Sequence, residues 1–285
     1  MKLGLESIRD RVSVRSYDGE PLGASEAEAL RSAFGEAAPG PFGGRPRFLL
    51  LAGDSAGLGQ GRIGTYGQIR GAAAYIVGAI ARSPHAMEDF GYALEGIILR
   101  ATELGLGTCW LGGLFARSAA ARALGVGPTE LIPACSPVGR AATRPGFQDR
   151  LIRAGAASRT RKEPRTLFYE TGDGGGWRNA EPEGRIRELV EAVRVAPSAS
   201  NRQPWRLLHE GLASRLHLFL DEDRLFNALL GEIRLQNLDM GIAMRHIEVA
   251  TSVLGIGGRW AQVPDPPPGP GGNLHYIATW SLPQS

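Results

Sequence analysis

Two stretches of the chain carry apolar residues at three-and-four spacing. Met87 to Leu104 reads MEDFGYALEGIILRATEL, and Leu235 to Leu254 reads LQNLDMGIAMRHIEVATSVL. That period predicts two long helices with broad buried faces. Each stops at a glycine, Gly105 or Gly255, which can take the left-handed conformation that closes a helix. A tryptophan follows each glycine at the same distance, Trp110 and Trp260. Other apolar runs are short and strand-like: PRFLLLAG from Pro46, PWRLLHE from Pro204, and Leu274 to Trp280.

These features repeat. Leu104-Gly105 and Leu254-Gly255 lie 150 positions apart, as do Gly91 and Gly241. Ala38-Pro39 and Pro46 recur 158 positions later as Ala196-Pro197 and Pro204. Each half therefore reads helix, Ala-Pro loop, strand, core helix, glycine stop, strand. Two copies at this period are too few and too long for a solenoid, so the pattern predicts a duplicated half-subunit. Helices mixed with short strands predict an α+β fold. The first half is expected over 1–140, a linker rich in Arg, Gly and Pro over 141–184, and the second half over 185–285. The run PDPPPGPGG over 264–272 reads as an exposed loop.

The chain has 285 residues, 43% of them hydrophobic, which suffices for a substantial core. Basic and acidic residues number 32 and 29, and no long basic tail is present, so nucleic acid is not an expected partner. The most apolar run, Gly71 to Ala81, is 11 residues long and too short for a membrane span, which takes about 20. The opening MKLGLESIRDR turns charged within six residues, against a signal peptide. Cys109 and Cys135 are then expected as reduced thiols, in a cytoplasmic setting. Nearly all basic residues are Arg; Lys2 and Lys162 are the two lysines.

Two segments could carry chemistry. In Arg11-Val12-Ser13-Val14-Arg15 an extended backbone would set Arg11, Ser13 and Arg15 on one face and the valines on the other. Forked guanidiniums and a hydroxyl about 6.5 to 7 Å apart suit a phosphate monoester; an exposed strand edge with surface arginines reads equally from spacing. Ala196 to Trp205, APSASNRQPW, sets donors and acceptors between stiffening prolines, or is a turn before an edge strand. Glu232, Gln236 and Asp239 near the start of the second core helix either line a pocket or complement the helix dipole. The five histidines show no zinc spacing, and His246 reads as a satisfied core or surface residue rather than a catalytic one. No serine has a G-x-S-x-G setting.

An opening R-x-S-x-R after a short helix, an APS-A-x-N-x-QPW loop before a strand, and a long helix ending LGLGTCWLGG together resemble the nitroreductase superfamily of flavoproteins. The resemblance spans most of the chain. The duplication is similar to the branch in which both halves of the usual homodimer lie in one polypeptide. It implies FMN as cofactor, with R-x-S-x-R supplied from one half and the APS-type loop from the other. Here the first half keeps R-x-S-x-R, but its loop has become APGPFGGRP over 38–46. The second half keeps the loop, and 170–195 holds no R-x-S-x-R. The retained parts complement each other and imply one FMN per chain.

By the resemblance, Arg11 and Ser13 hold the FMN phosphate and Arg15 lies nearer the N1/O2 edge. Leu111, Gly112 and Gly113 match the segment whose backbone N–H reaches flavin N5. Pro197, Ser198 and Ser200 pack on or bond to the ring. Arg159 and Arg161 match a basic pair that reaches the phosphate; their segment also reads as a solvated linker. Thr65, Tyr66 and Gln68 are further candidates for the ribityl chain or pyrimidine edge. The activity implied is ping-pong transfer of hydride from NAD(P)H through flavin to a small conjugated acceptor, a nitroaromatic, quinone or similar molecule. No catalytic side chain is needed. The alternative is a flavin carrier or sensor with little turnover. A chain that contains its own two-fold arrangement is expected to be a monomer.

Overall fold

The computed structural model describes residues 3–53, 69–113, 115–143, 160–172, 176–211 and 215–281. The chain divides into two units, Asp10–Arg159 with Met1, and Lys2–Arg9 with Thr160–Ser285. After a short helix, α1 (Leu5–Asp10), the first unit runs α2 (Ala24–Gly35), β1 (Arg47–Ala52), β2 (Ala74–Ala81), α3 (Ala86–Glu103), β3 (Gly107–Thr108), α4 (Arg117–Leu124), β4 (Glu130–Leu131) and β5 (Cys135–Gly139). The second unit runs α5 (Pro164–Leu167), β6 (Phe168–Thr171), β7 (Trp177–Asn179), α6 (Gly184–Arg194), β8 (Trp205–Glu210), β9 (Arg215–Asp221), α7 (Arg224–Ala228), α8 (Leu235–Val253), β10 (Arg259–Ala261) and β11 (Leu274–Ser281).

The sheets carry the duplication. The first has strand order β1-β2-β5-β3, with β4 beside β2. The second has order β10-β11-β9-β8-β6-β7. Its run β8-β9-β11-β10 repeats the first order strand for strand, and every neighbour in both runs is antiparallel. The two expected core helices are α3 and α8, and the glycines after them take positive φ, +74° at Gly105 and +65° at Gly255.

In the first unit α3 is buried along nearly its whole length. Phe90 on α3 meets Phe48 of β1 with ring centroids 5.6 Å apart. A Cβ on Gly78 of β2 would lie 2.5 Å from the Phe48 ring, so glycine is what lets that ring lie against the strand. Tyr75, Val77 and Ala79 of β2 pack with Phe115, Ala120, Ile132 and Cys135 in a cluster that includes α4. Burying each large apolar side chain contributes about 1.5 to 3 kcal/mol. In the second unit, Trp260 and Trp280 meet edge-on at 5.4 Å across β10 and β11. His246 of α8 is buried and bonds the Ala192 carbonyl of α6 at 2.7 Å through Nδ1, so of the core and surface readings the core one holds.

The expected boundaries need correction. Residues 160–184 are not a plain linker. They contain α5 and the strand pair β6 and β7, and β6 pairs parallel with β8 at Phe168↔Leu207 and Tyr169↔Leu208. The strand is four residues long, too short for alternation to stand out from its Arg- and Gly-rich flanks. Lys2–Arg9 also groups with the second unit, and Arg9 meets Glu188 of α6 at 3.5 Å. Among the described residues no helix is long and apolar enough to cross a membrane, and no group of ligating side chains could hold a metal ion.

Candidate functional site

In the first unit, backbone pairing fixes the R-x-S-x-R segment. Val14 N–H donates to the Thr108 carbonyl at 2.8 Å, Arg70 N–H to the Arg15 carbonyl at 2.8 Å, and Tyr17 N–H to the Arg70 carbonyl at 2.9 Å. The Tyr17 hydroxyl folds back onto the Val14 carbonyl at 2.8 Å. A Cβ on Gly107 would lie 2.7 Å from Val14 Cγ2, so this glycine admits the close approach of the two segments. The two-face alternation expected of the motif is not kept: Val14 is buried under β3, while Val12 is 63% exposed. The pairing consists of single bridges at Ser13 and Ser16 rather than a continuous ladder, so the faces do not alternate as in a regular strand.

Arg11 is the unusual group. It is 7% exposed, and its Nε and Nη1 are buried without a hydrogen-bond partner. Arg15 Nη1 is buried in the same state. Burial pulls the Arg11 proton affinity below its ordinary value, and the nearby Glu95 partly restores it. A buried guanidinium with unused donors is costly, and an anion that accepts from them removes the cost.

Leu111, Gly112 and Gly113 follow β3 in the same unit. Leu111 and Cys135 exchange backbone bonds at 2.9 and 3.0 Å. Arg117 ties down the next stretch: it donates to the carbonyl oxygens of Gly112, Ile132 and Pro133 and lies over the Phe115 ring. Among the described residues no hydrogen bond takes up the N–H of Gly112 or Gly113. Just before them, the Trp110 indole donates to Glu95 Oε2 at 2.7 Å, and Glu95 is fully buried on α3. Sequence reasoning did not reach Glu95 or Arg117. An acid within the apolar run ALEGIIL was the available signal for the first.

The second unit builds the loop of Pro197, Ser198 and Ser200. Ser200, Asn201 and Gln203 all have positive φ, near +50°. Three non-glycine residues in that region within four positions store strain, which persists only where neighbours hold it. The neighbours are visible. Both oxygens of Asp239, on α8, accept from Ala199 N–H at 3.0 and 3.1 Å. Ser198 Oγ accepts from Gln203 N–H at 2.9 Å. Arg161 donates to Asn201 Oδ1 at 2.8 Å and to the Val195 carbonyl at 3.3 Å. Lys162 N–H donates to Gln203 Oε1 at 2.9 Å, and its ammonium to the Gln203 carbonyl at 3.2 Å. Burial raises the Asp239 carboxyl well above its ordinary range, against the pull of Ala199 N–H. Pro197 is buried and Ser200 faces solvent.

Arg11, Ser13 and Arg15 thus come together with Leu111 to Gly113 in one unit, through the Thr108 bridge. Arg161 comes together with the Pro197 to Ser200 loop in the other. Thr65, Tyr66, Gln68 and Arg159 lie outside the described residues. Gln236 accepts from Asp223 N–H at 2.9 Å, a structural role, and Glu232 is exposed. Cys109 and Cys135 are buried thiols, and burial pushes the Cys135 thiol up.

The repeated sheet order and these two segments define the class: an α+β protein of the nitroreductase type, internally duplicated. The family model described as "Putative TM nitroreductase" matches residues 5–251, and the chain belongs to that family. A Thermotoga maritima protein described as a putative nitroreductase is 18% identical with a TM-score of 0.59; the match covers 99% of this chain and 93% of that one. A Bacteroides fragilis nitroreductase with bound FMN is 22% identical with a TM-score of 0.40, over 50% of this chain and 90% of that one. A Parabacteroides distasonis protein described as an NADH dehydrogenase/NAD(P)H nitroreductase is 20% identical with a TM-score of 0.39, over 50% and 88%. No curated protein matches the chain.

Proposed function

We propose that the chain is an FMN-dependent oxidoreductase with NAD(P)H as electron donor and a small conjugated molecule, such as a nitroaromatic or quinone, as acceptor. The observation that supports it best is Arg11, a buried guanidinium whose Nε and Nη1 have no partner. The donor set suits a phosphate monoester: Arg11 offers a charged fork, and Ser13 a hydroxyl two residues on. Arg15 brings positive charge toward the pyrimidine edge, where negative charge collects on reduction. The N–H groups of Gly112 and Gly113 remain to donate toward N5, with no side chain to obstruct them. Pro197, Ser198 and Ser200 offer an apolar face and hydroxyls to the ring, and Arg161 a second cation. When bound, FMN would supply the redox chemistry between NAD(P)H and the acceptor, while these residues hold and orient it. Each retained segment occurs once, so one FMN per chain is expected.

The test is to purify the chain, record its visible spectrum and count released flavin. One FMN per chain, reduced rapidly by NADH or NADPH and reoxidised by an acceptor, supports the reading. No flavin after soaking in FMN sinks it. One FMN that NADH and NADPH reduce only slowly favours a flavin carrier or sensor, working in either case without nucleic acid or membrane.

A further inference from the structure

Among the buried charged side chains that the FMN reading does not use, Glu95 lies nearest to its parts. Glu95 sits in the middle of α3 with no solvent exposure. Its Oε2 accepts the Trp110 indole N–H at 2.7 Å. Trp110 is the residue before Leu111, Gly112 and Gly113, whose backbone bears the unused donors. Glu95 is also electrostatically coupled to Arg11, the guanidinium with unpartnered nitrogens. One carboxylate therefore hydrogen-bonds the residue that opens the Leu111 to Gly113 segment and acts electrostatically on Arg11 of the other.

The duplication supplies an internal control. Position 95 corresponds to position 245 in the repeat, and Trp110 to Trp260. The second unit, which lacks R-x-S-x-R, has Arg245 in place of the acid. Arg245 pairs with Glu248 on its own helix at 3.2 Å, and the Trp260 indole donates to the Met244 carbonyl at 3.2 Å. A tryptophan at this place can thus be satisfied by backbone alone. The carboxylate accompanies the half that keeps the arginines, so packing the tryptophan does not account for it.

We propose that Glu95 is a positioning residue of the FMN site: it anchors Trp110, and with it the Leu111 to Gly113 backbone, while its charge counterbalances Arg11 until a phosphate arrives. This rests on the FMN reading. A buried carboxylate is expensive unless it is hydrogen-bonded and near opposite charge; here the Trp110 indole supplies the hydrogen bond, and Arg11 is the cation whose charge it acts on. One side chain then sets the phosphate end against the ring end.

The experiment compares Glu95→Gln and Glu95→Ala with wild type. FMN and riboflavin affinities are read by flavin fluorescence, and the Trp110 indole N–H resonance is followed in flavin-free protein and assigned with Trp110→Phe. Glutamine keeps an acceptor for the indole but not the charge. Its Trp110 resonance and its riboflavin affinity should stay near wild type. Its preference for FMN over riboflavin should rise several-fold, because phosphate becomes the main anion facing Arg11. Alanine loses the acceptor as well as the charge, so the resonance should move and riboflavin should bind about tenfold more weakly, with FMN losing less. An unchanged or reduced FMN preference in Glu95→Gln, or equal behaviour of the two variants, overturns the role. Wild-type protein that binds neither flavin sinks the FMN reading and this role with it; wild-type binding with unaffected variants sinks this role alone.

Discussion

Asp89 and Asp239 stand 150 positions apart and do the same thing in the two units. Asp89, on α3, accepts from the N–H groups of Phe42 and Gly44 at 2.8 and 2.7 Å. Asp239, on α8, accepts from Ala199 N–H with both oxygens. Each holds the Ala-Pro loop of its own half to its own core helix. The first loop has changed around this clamp: a Cβ on Gly40 would lie 2.2 Å from Asp89 Oδ1, and one on Gly44 2.5 Å from Oδ2. The clamp outlasted the serines and asparagine that the second loop retains.

The Asp239 carboxyl should make stability fall with rising pH. Burial raises it well above 3.8, so the native state binds its proton more tightly than the unfolded chain. Its contribution is full below about pH 3.8 and is lost as pH rises through the raised native value. Asp239→Asn keeps an acceptor for Ala199 N–H and does not titrate. The urea midpoint of wild type should therefore drop relative to Asp239→Asn between about pH 4 and pH 8. A constant difference across that range would show that the carboxyl does not titrate as described.

Arg11→Ala should weaken FMN binding by about 10- to 150-fold for each charge-assisted bond lost, at about 1.5 to 3 kcal/mol per bond. Riboflavin, which has no phosphate, should lose less than about tenfold. Isothermal titration with both flavins checks this, and an equal loss for the two would move Arg11 away from the phosphate.

Gly107→Ala should destabilise the chain by about 1 to 3 kcal/mol, because the new methyl overlaps Val14. Val14→Ala in the same chain should recover part of that loss. Chemical denaturation of the single and double variants measures the coupling, and additive losses would mean that Val14 is not the obstacle.

Ser200→Gly should raise stability by about 0.5 kcal/mol. Relief of a left-handed conformation worth about 1 to 2 kcal/mol exceeds the entropy lost with glycine. Thermal melts would detect the gain, and a loss would mean that the serine side chain contributes bonds of its own.

Much of this was legible in the sequence for a physical reason. Buried helices announce themselves by period and glycine stops, which is why Met87 to Leu104 and Leu235 to Leu254 were found within one residue at each end. Motifs contiguous in sequence, such as Arg11 to Arg15, could be read as units. What escaped was set by partners distant in sequence. β6 is a strand because β8 lies beside it, not because FYET alternates. Arg117 matters through three carbonyl oxygens that no spacing rule connects to it. Val12 and Val14 differ in exposure because Gly107 opens room for only one of them. Asp239 was singled out, but its loop N–H partner was not visible until the chain folded back.

The grouping of Lys2–Arg9 with the second unit bears on synthesis. This segment is made before the rest of the second unit, and Glu188, which meets Arg9, follows 179 residues after it. At translation speeds of about 5 to 20 residues per second, α1 waits roughly 10 to 35 s for that partner. The first unit can take shape during the delay, as an insertion between two pieces of a unit that is still incomplete. The nascent chain therefore carries an undocked amphipathic arm until the rest of the second unit has been made.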